Sequence, residues 1–125
     1  MATADGLFRY ESETHRLDPR SDRDLRSRLQ DAALGQDAIG AAPAVFVITA
    51  VYERTAAKYG AGRTPRYVHM EAGHAAQNLL LQAVALGLGG VPMGAFEDDR
   101  VSEVLSLSAD ESPLYLIPVG VPEPD

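Results

Sequence analysis

The stretch YVHMEAGHAAQNLLLQAVALGLGGVPMG, residues 67–94, decides the fold of this chain. From about residue 66 to residue 86, apolar residues recur at helical spacing, and Leu80, Leu81 and Val84 widen the apolar face almost to a full circle. A helix that is apolar on nearly all sides is typically buried. The pattern therefore predicts one long helix of roughly 30 Å that runs through the core.

Glycines at positions 87, 89 and 90 are expected to end this helix, and Val91–Gly94 should follow as an extended segment. Such a segment beside a buried helix exposes backbone amides at the edge of the core, where a flat ligand that forms hydrogen bonds could bind. A core helix with a glycine cap and no ligand is the alternative, and pattern alone favours it.

The length of 125 residues predicts a single domain, residues 1–125, and the net charge of -7 argues against nucleic acid or an anionic membrane as a partner. The chain contains no cysteine, and its first residues do not resemble a signal peptide, so we expect a cytoplasmic protein. Residues 72–96 carry no formal charge, but His74, Gln77 and Asn78 argue against a membrane span.

The rest of the chain alternates between strand-like and helix-like segments. We predict a peripheral hairpin of residues 6–10 and 15–18, followed by a helix from a Ser21 cap to Leu34. A central strand covered on both faces should follow at residues 44–51, and then a helix at residues 52–60. Thr64 should cap the long helix, and a helix at residues 97–105 and a last strand at residues 114–119 should complete the chain. This order predicts an α+β fold in which helices flank a mixed sheet around the long buried helix.

Two groups of side chains are candidates for a chemical site. His69 and His74 are five residues apart and face different sides of a helix, so they do not form a local metal site, and we interpret them as core or boundary residues. Lys58 and Tyr59 are adjacent groups that could transfer protons at the end of the unit that contains the central strand. An exposed lysine beside a packed tyrosine is the simpler interpretation of spacing alone.

The segments GLFRYESETHRL, AALGQDAI, VFVITAVYERTAAKYG, the stretch from Arg66 to Phe96, and PLYLIPVG, taken together, resemble the SagB-type dehydrogenases of the FMN-dependent nitroreductase superfamily. The resemblance extends from Gly6 to Gly120. It implies a nitroreductase-like α+β fold, an obligate homodimer and FMN at the subunit interface. It also implies a small-molecule or peptide substrate.

The resemblance implies roles for particular residues. Pro92 and Met93 match positions that lie against the flavin, and Gly94 and Ala95 match positions whose backbone amides reach its N5/O4 edge. Lys58-Tyr59 matches the pair that moves the substrate proton when SagB-type members oxidise azolines to azoles.

The chain also departs from the family pattern. It resembles only the C-terminal half of full-length members, without the N-terminal segment that carries an arginine-rich phosphate motif, and Val121 stands where many members have a basic residue. The first hypothesis is therefore an FMN-dependent oxidoreductase, active if the missing half completes it. The alternative is a catalytically inactive dimeric binding or assembly module derived from that family.

Overall fold

A computed structural model describes residues 1–124 as an α+β fold. Within those residues the elements are β1 Ala2–Thr3, β2 Gly6–Glu11, β3 Arg16–Ser21, α1 Arg26–Ala32, α2 Asp37–Ala41, β4 Ala44–Val51, α3 Tyr52–Tyr59, α4 Thr64–Ala85, β5 Gly89–Gly90, α5 Asp98–Leu105 and β6 Glu111–Gly120. The expected α+β class, the hairpin, the strand 44–51 and the long helix are confirmed.

The six strands form one sheet in the order β3-β2-β1-β4-β6-β5. Every pairing between them is antiparallel, so the expectation of a mixed sheet is wrong. The reason lies in the position of β6, which returns between β4 and β5 and runs opposite to both. Strand β4 is fourth of six and therefore central. It is covered less completely than its apolar run predicted, because only Val45 is fully buried.

The two faces of the sheet carry different helices. On one face, α1, α2 and α5 cover a core of fully buried side chains that includes Leu29, Ile39, Val101 and Leu116. We call this the closed core. On the other face, Ala76 and Ala83 of α4 pack against Ile117 and Val119 of β6, and all four are buried, whereas the surrounding apolar side chains of α4, such as Leu79, are only half-buried. We call this the α4 face.

The long helix is confirmed as α4, but the expectation that it is buried nearly all round is wrong for this chain. Its buried residues form one narrow stripe of Thr64, Val68, Ala72, Ala76 and Ala83. The side chains of Leu81, Val84 and Leu86 are 59%, 71% and 65% exposed. One chain of this size has too little material to cover a helix that is apolar on all sides.

Helix ends differ from the sequence-based expectations for local reasons. Ser21 ends β3, and α1 begins only at Arg26, because Ser21 and Asp24 side chains accept hydrogen bonds from backbone N–H groups two residues ahead. At α4, Arg63 is the cap, and the Thr64 hydroxyl donates a 2.8 Å hydrogen bond to the Gly60 carbonyl.

Candidate functional site

The segment Pro92–Ala95 crosses the edge of the sheet beside β6. Met93 exchanges two backbone hydrogen bonds with Leu116, at 2.8 and 3.0 Å, so the segment forms an isolated bridge and not the longer strand expected from sequence. The Met93 side chain packs against the closed core, whereas Pro92, Gly94 and Ala95 are exposed. The backbone is thus anchored at one residue and accessible at its neighbours.

A second anchor holds the far end of the same segment. The side-chain amide of Gln36 donates one 2.8 Å hydrogen bond to the Ala95 carbonyl and another to the Ala33 carbonyl. Two residues beyond Ala95, the Glu97 N–H donates to the Ala32 carbonyl at 2.9 Å. The loop between α1 and α2 therefore determines where residues 94 and 95 lie. Sequence reasoning missed Gln36, because a partner 59 residues away leaves no local pattern.

Between these anchors, two backbone donors are free. Among residues 1–124, neither the Gly94 N–H nor the Ala95 N–H donates a hydrogen bond. A Cβ atom built on Gly94 would meet no atom within 4 Å, so open space lies beside it. Unpaired, accessible N–H groups beside open space suit the carbonyl and ring-nitrogen acceptors of a planar heterocycle. The ring edge of a flavin therefore fits this segment.

Lys58 and Tyr59 lie apart from that segment, at the C-terminal end of α3. Both are exposed, and the Lys58 Nζ atom is 5.2 Å from the centre of the Tyr59 ring. The Tyr59 ring also packs against the Tyr67 ring of α4, with centroids 4.8 Å apart. Among residues 1–124, no hydrogen bond, ion pair or ring contact joins this pair to Pro92–Ala95. None of these interactions therefore links the two predicted parts of the site in the described residues.

His69 and His74 of α4, which were expected to be core or boundary residues, are both exposed. The Tyr52 hydroxyl and His69 Nε2 form a hydrogen bond of 2.8 Å, which ties the start of α3 to α4. No group of three or more potential metal-binding side chains occurs in the part of the chain that the structure describes. None of its helices is long and apolar enough to cross a membrane.

A polar cluster missed by sequence reasoning lies on the sheet itself. The Arg9 guanidinium contacts both carboxylate oxygens of Glu111, at 2.8 and 2.9 Å, and the Thr49 hydroxyl donates to the same carboxylate. Burial raises the pKa of Glu111, but the hydrogen bonds from Thr49 and Arg9 outweigh burial, and the pKa is lowered overall. The cluster joins β2, β4 and β6, which are distant in sequence, so it leaves no local signal.

Comparison with known proteins matches this fold to one family. The family model described as the nitroreductase family matches residues 3–121. A protein of Methanocaldococcus jannaschii that is named as a nitroreductase is 47% identical over 120 residues, which cover 96% of this chain and 59% of that protein. The chain thus spans about three fifths of the length of this curated relative.

Two solved structures are also similar to this chain in fold and in sequence. A protein of Anabaena variabilis named as a nitroreductase is 36% identical, with a TM-score of 0.87 over 94% of this chain and 24% of its own. The NADPH:FMN oxidoreductase of Vibrio harveyi, solved in complex with NAD⁺, is 25% identical. Its TM-score is 0.70 over 94% of this chain and 50% of its own.

Proposed function

Since the chain belongs to the nitroreductase family, we propose that it is an FMN-dependent oxidoreductase whose own residues hold the ring edge of the flavin. The observation that carries the proposal is the pair of free N–H groups at Gly94 and Ala95, held between the Met93 bridge and the Gln36 amide. The similar Vibrio harveyi enzyme, an NADPH:FMN oxidoreductase, supports FMN as the cofactor.

The residues present fit only part of FMN. No lysine or arginine occurs from residue 67 to residue 99, so the segment beside the ring edge offers no cation of its own for the phosphate. Charge-assisted hydrogen bonds contribute about 1.5–3 kcal/mol each, so their absence weakens binding substantially. We therefore expect this chain by itself to bind FMN weakly. This observation also favours the second candidate function, a dimeric binding or assembly module without catalysis.

A titration of the chain with FMN tests the proposal. We expect saturable quenching of flavin fluorescence with a dissociation constant above the micromolar range. Gly94→Val should weaken binding about tenfold or more, because its side chain enters the open space beside the free N–H groups. Gly62→Val is the matched control, since Gly62 also lies in a loop with no atom near its Cβ position.

Equal affinities for the Gly94→Val and Gly62→Val proteins would show that FMN does not bind along Pro92–Ala95. Complete absence of saturable binding to the wild-type chain would instead favour the module without catalysis. A submicromolar affinity would reveal a phosphate site, for which Arg63 and Arg66 at the start of α4 are the first candidates to substitute.

We propose further that Lys58 and Tyr59 handle the substrate proton in a SagB-type conversion of an azoline to an azole. Bound FMN would supply the two-electron acceptor for this dehydrogenation. Both side chains are exposed at the end of α3 and are free to meet a substrate, and the Tyr67 ring helps to orient Tyr59. Loss of a general acid or base typically lowers the rate by about 10²–10⁴-fold.

Turnover in the complete enzyme tests this role. Lys58→Ala and Tyr59→Phe should each lower kcat by about 10²–10⁴-fold. The FMN content should stay near that of the wild type, because no hydrogen bond, ion pair or ring contact joins either residue to Pro92–Ala95 in the described residues. Arg54→Ala, an exposed change on the same helix, is the control. Normal turnover in both variants would remove the proton-transfer role, and loss of FMN would place the pair at the cofactor.

A further inference from the structure

A basic surface lies where α3 meets α4. From residue 58 to residue 70 the chain has no aspartate or glutamate, whereas it has three exposed cations, Lys58, Arg63 and Arg66. The net charge of the whole chain is -7 even with these cations included, so the rest of the chain is strongly acidic. Positive charge is therefore concentrated in this segment, where it attracts anionic groups of a partner.

The packing of α3 against α4 gathers these cations around two tyrosine rings. The Tyr59 ring at the end of α3 packs against the Tyr67 ring of α4, with centroids 4.8 Å apart. The Lys58 Nζ atom lies 5.2 Å from the centre of the Tyr59 ring, and Arg66 directly precedes Tyr67 in the sequence. Arg63 is the cap of α4, less than one turn before Arg66. We call Lys58, Tyr59, Arg63, Arg66 and Tyr67 the α3–α4 surface.

The arginines of this surface have no partner in the part of the chain that the structure describes. There, Arg63 and Arg66 form no ion pair and no side-chain hydrogen bond. Three other arginines are instead neutralised by carboxylates at 2.7–2.9 Å: Arg9 by Glu111, Arg26 by Asp24 and Arg100 by Glu97. A free guanidinium presents N–H donors in a planar fork that matches a carboxylate, so both arginines are available to an acidic partner.

The other exposed arginines have different surroundings. Residues 16–31 contain five arginines, but these are interspersed with four aspartates, so positive charge does not accumulate there. Residues 58–70 combine unpaired arginines with two tyrosine rings and no acid. Arginine and tyrosine are enriched where proteins bind other polypeptides, so this composition indicates a polypeptide partner.

We propose that the α3–α4 surface is a docking surface for an acidic polypeptide segment of the substrate. Arg63 and Arg66 bind the side-chain carboxylates of that segment, and the tyrosine rings contact its apolar side chains. The substrate proton is the one that Lys58 and Tyr59 handle, so the identity of the docked segment as substrate rests on the proposed function. The docking itself requires neither FMN nor turnover.

Two other anionic ligands fit this surface less well. A nucleic acid is a long polyanion, and beyond these three cations it would meet the acidic remainder of the chain, which repels it. FMN carries a phosphate, but we assign its ring edge to Pro92–Ala95. Among residues 1–124, no hydrogen bond or ion pair joins Arg63 or Arg66 to that segment. A short acidic peptide segment needs only the surface itself and also uses the tyrosine rings.

Binding of two short synthetic peptides to the 125-residue chain, without FMN, tests the surface. The acidic probe is a rhodamine-labelled Gly-Glu-Phe-Glu-Gly-Glu-Phe-Glu-Gly, and the control probe has glutamine in place of each glutamate. Fluorescence anisotropy should show saturable binding of the acidic probe and at least about tenfold weaker binding of the glutamine probe. The affinity for the acidic probe should fall several-fold between about 0.05 M and about 0.5 M salt, because exposed charges are screened.

Charge reversal locates the binding. The double variant Arg63→Glu with Arg66→Glu should bind the acidic probe about tenfold more weakly or worse, because two attractive charges become repulsive. Glutamates near the start of a helix complement its dipole, so this variant should keep its fold. The double variant Arg16→Glu with Arg20→Glu is the matched control, because it makes the same change in net charge at two exposed residues of β3.

Four results would overturn the docking surface. They are equal binding of the two probes, equal weakening in the two double variants, tighter binding of a labelled oligothymidylate than of the acidic probe, and loss of FMN affinity in the Arg63→Glu, Arg66→Glu protein. The third result would indicate a nucleic acid as the partner, and the fourth would assign these arginines to the FMN phosphate.

Turnover in the complete enzyme tests whether the docked segment belongs to the substrate. With a peptide azoline flanked by glutamates, the Arg63→Glu, Arg66→Glu protein should show a KM raised by about tenfold and an unchanged kcat. An unchanged KM would overturn the assignment of the docked segment to the substrate. Normal turnover in the Lys58→Ala and Tyr59→Phe proteins, with probe binding intact, would remove the proposed proton transfer and leave the docking surface in place.

Discussion

The two faces of the sheet show how differently one small chain can treat its apolar residues. In the closed core, Leu29, Ile39 and Leu116 are completely buried by elements of the same chain. On the α4 face, α4 contributes only the small side chains of Ala76 and Ala83 to the buried cluster, and its Leu81 and Val84 side chains point to solvent. Elements of this chain therefore cover the closed core without a partner. A contiguous exposed apolar surface is typical of an interface, and we propose that the α4 face is where two copies associate.

The largest expected effect separates the two faces directly. Leu29→Ala should lower the free energy of unfolding by about 2–5 kcal/mol, because it leaves a cavity in a fully packed environment. Leu81→Ala removes the same atoms from a side chain that is 59% exposed. It should therefore change the free energy of unfolding by less than about 0.5 kcal/mol. Urea unfolding at low protein concentration measures both. Similar losses in the two variants would mean that the faces are equally well packed.

The second prediction concerns association through the α4 face. Val84→Asp should raise the dimer dissociation constant by about tenfold to a hundredfold, since it places a charge in an apolar interface. Sedimentation velocity over a range of concentrations measures this change. Leu17→Asp is the matched control, because Leu17 is also an exposed aliphatic residue but lies on β3 and not on α4. A wild-type chain that stays monomeric at high concentration would contradict the proposed dimer.

The smallest expected effect concerns the polar cluster that joins three strands. Glu111→Gln should lower the free energy of unfolding by about 1–2 kcal/mol at neutral pH, because Arg9 and Thr49 lose a charged hydrogen-bond acceptor. The effect is limited because Arg9 is partly exposed and solvent weakens its ion pair with Glu111. Since folding lowers the pKa of Glu111, its contribution is present above its unfolded pKa and disappears as the pH falls through the folded value.

The difference in unfolding free energy between wild type and Glu111→Gln should therefore shrink on acidification below about pH 4.3. Denaturant unfolding at several pH values gives this difference directly. A difference that stays constant from neutral to strongly acidic pH would mean that the carboxylate charge of Glu111 does not contribute to folding.

Local sequence determined the elements whose signals lie within a few residues. The uninterrupted run of β-formers at residues 44–51 specified β4 to the residue, and Gly60 and Gly87, both at positive φ, ended α3 and α4 where expected. The helix of residues 98–105 followed from acids in its first turn. The two-residue strands β1 and β5 were missed, because such short strands exist only through their partners.

Other features depend on contacts that local pattern does not encode. Apolar periodicity identified α4, but only the packed fold shows which of its apolar residues this chain covers and which it leaves exposed. The anchoring of Ala95 by Gln36 and the cluster of Arg9, Thr49 and Glu111 join residues that are far apart in sequence. Sequence alone determined where the longer strands and helices form, because propensity and capping act locally. Only the tertiary structure decided where free N–H groups, open strand edges and bare apolar surfaces remain, because these depend on what packs against each segment.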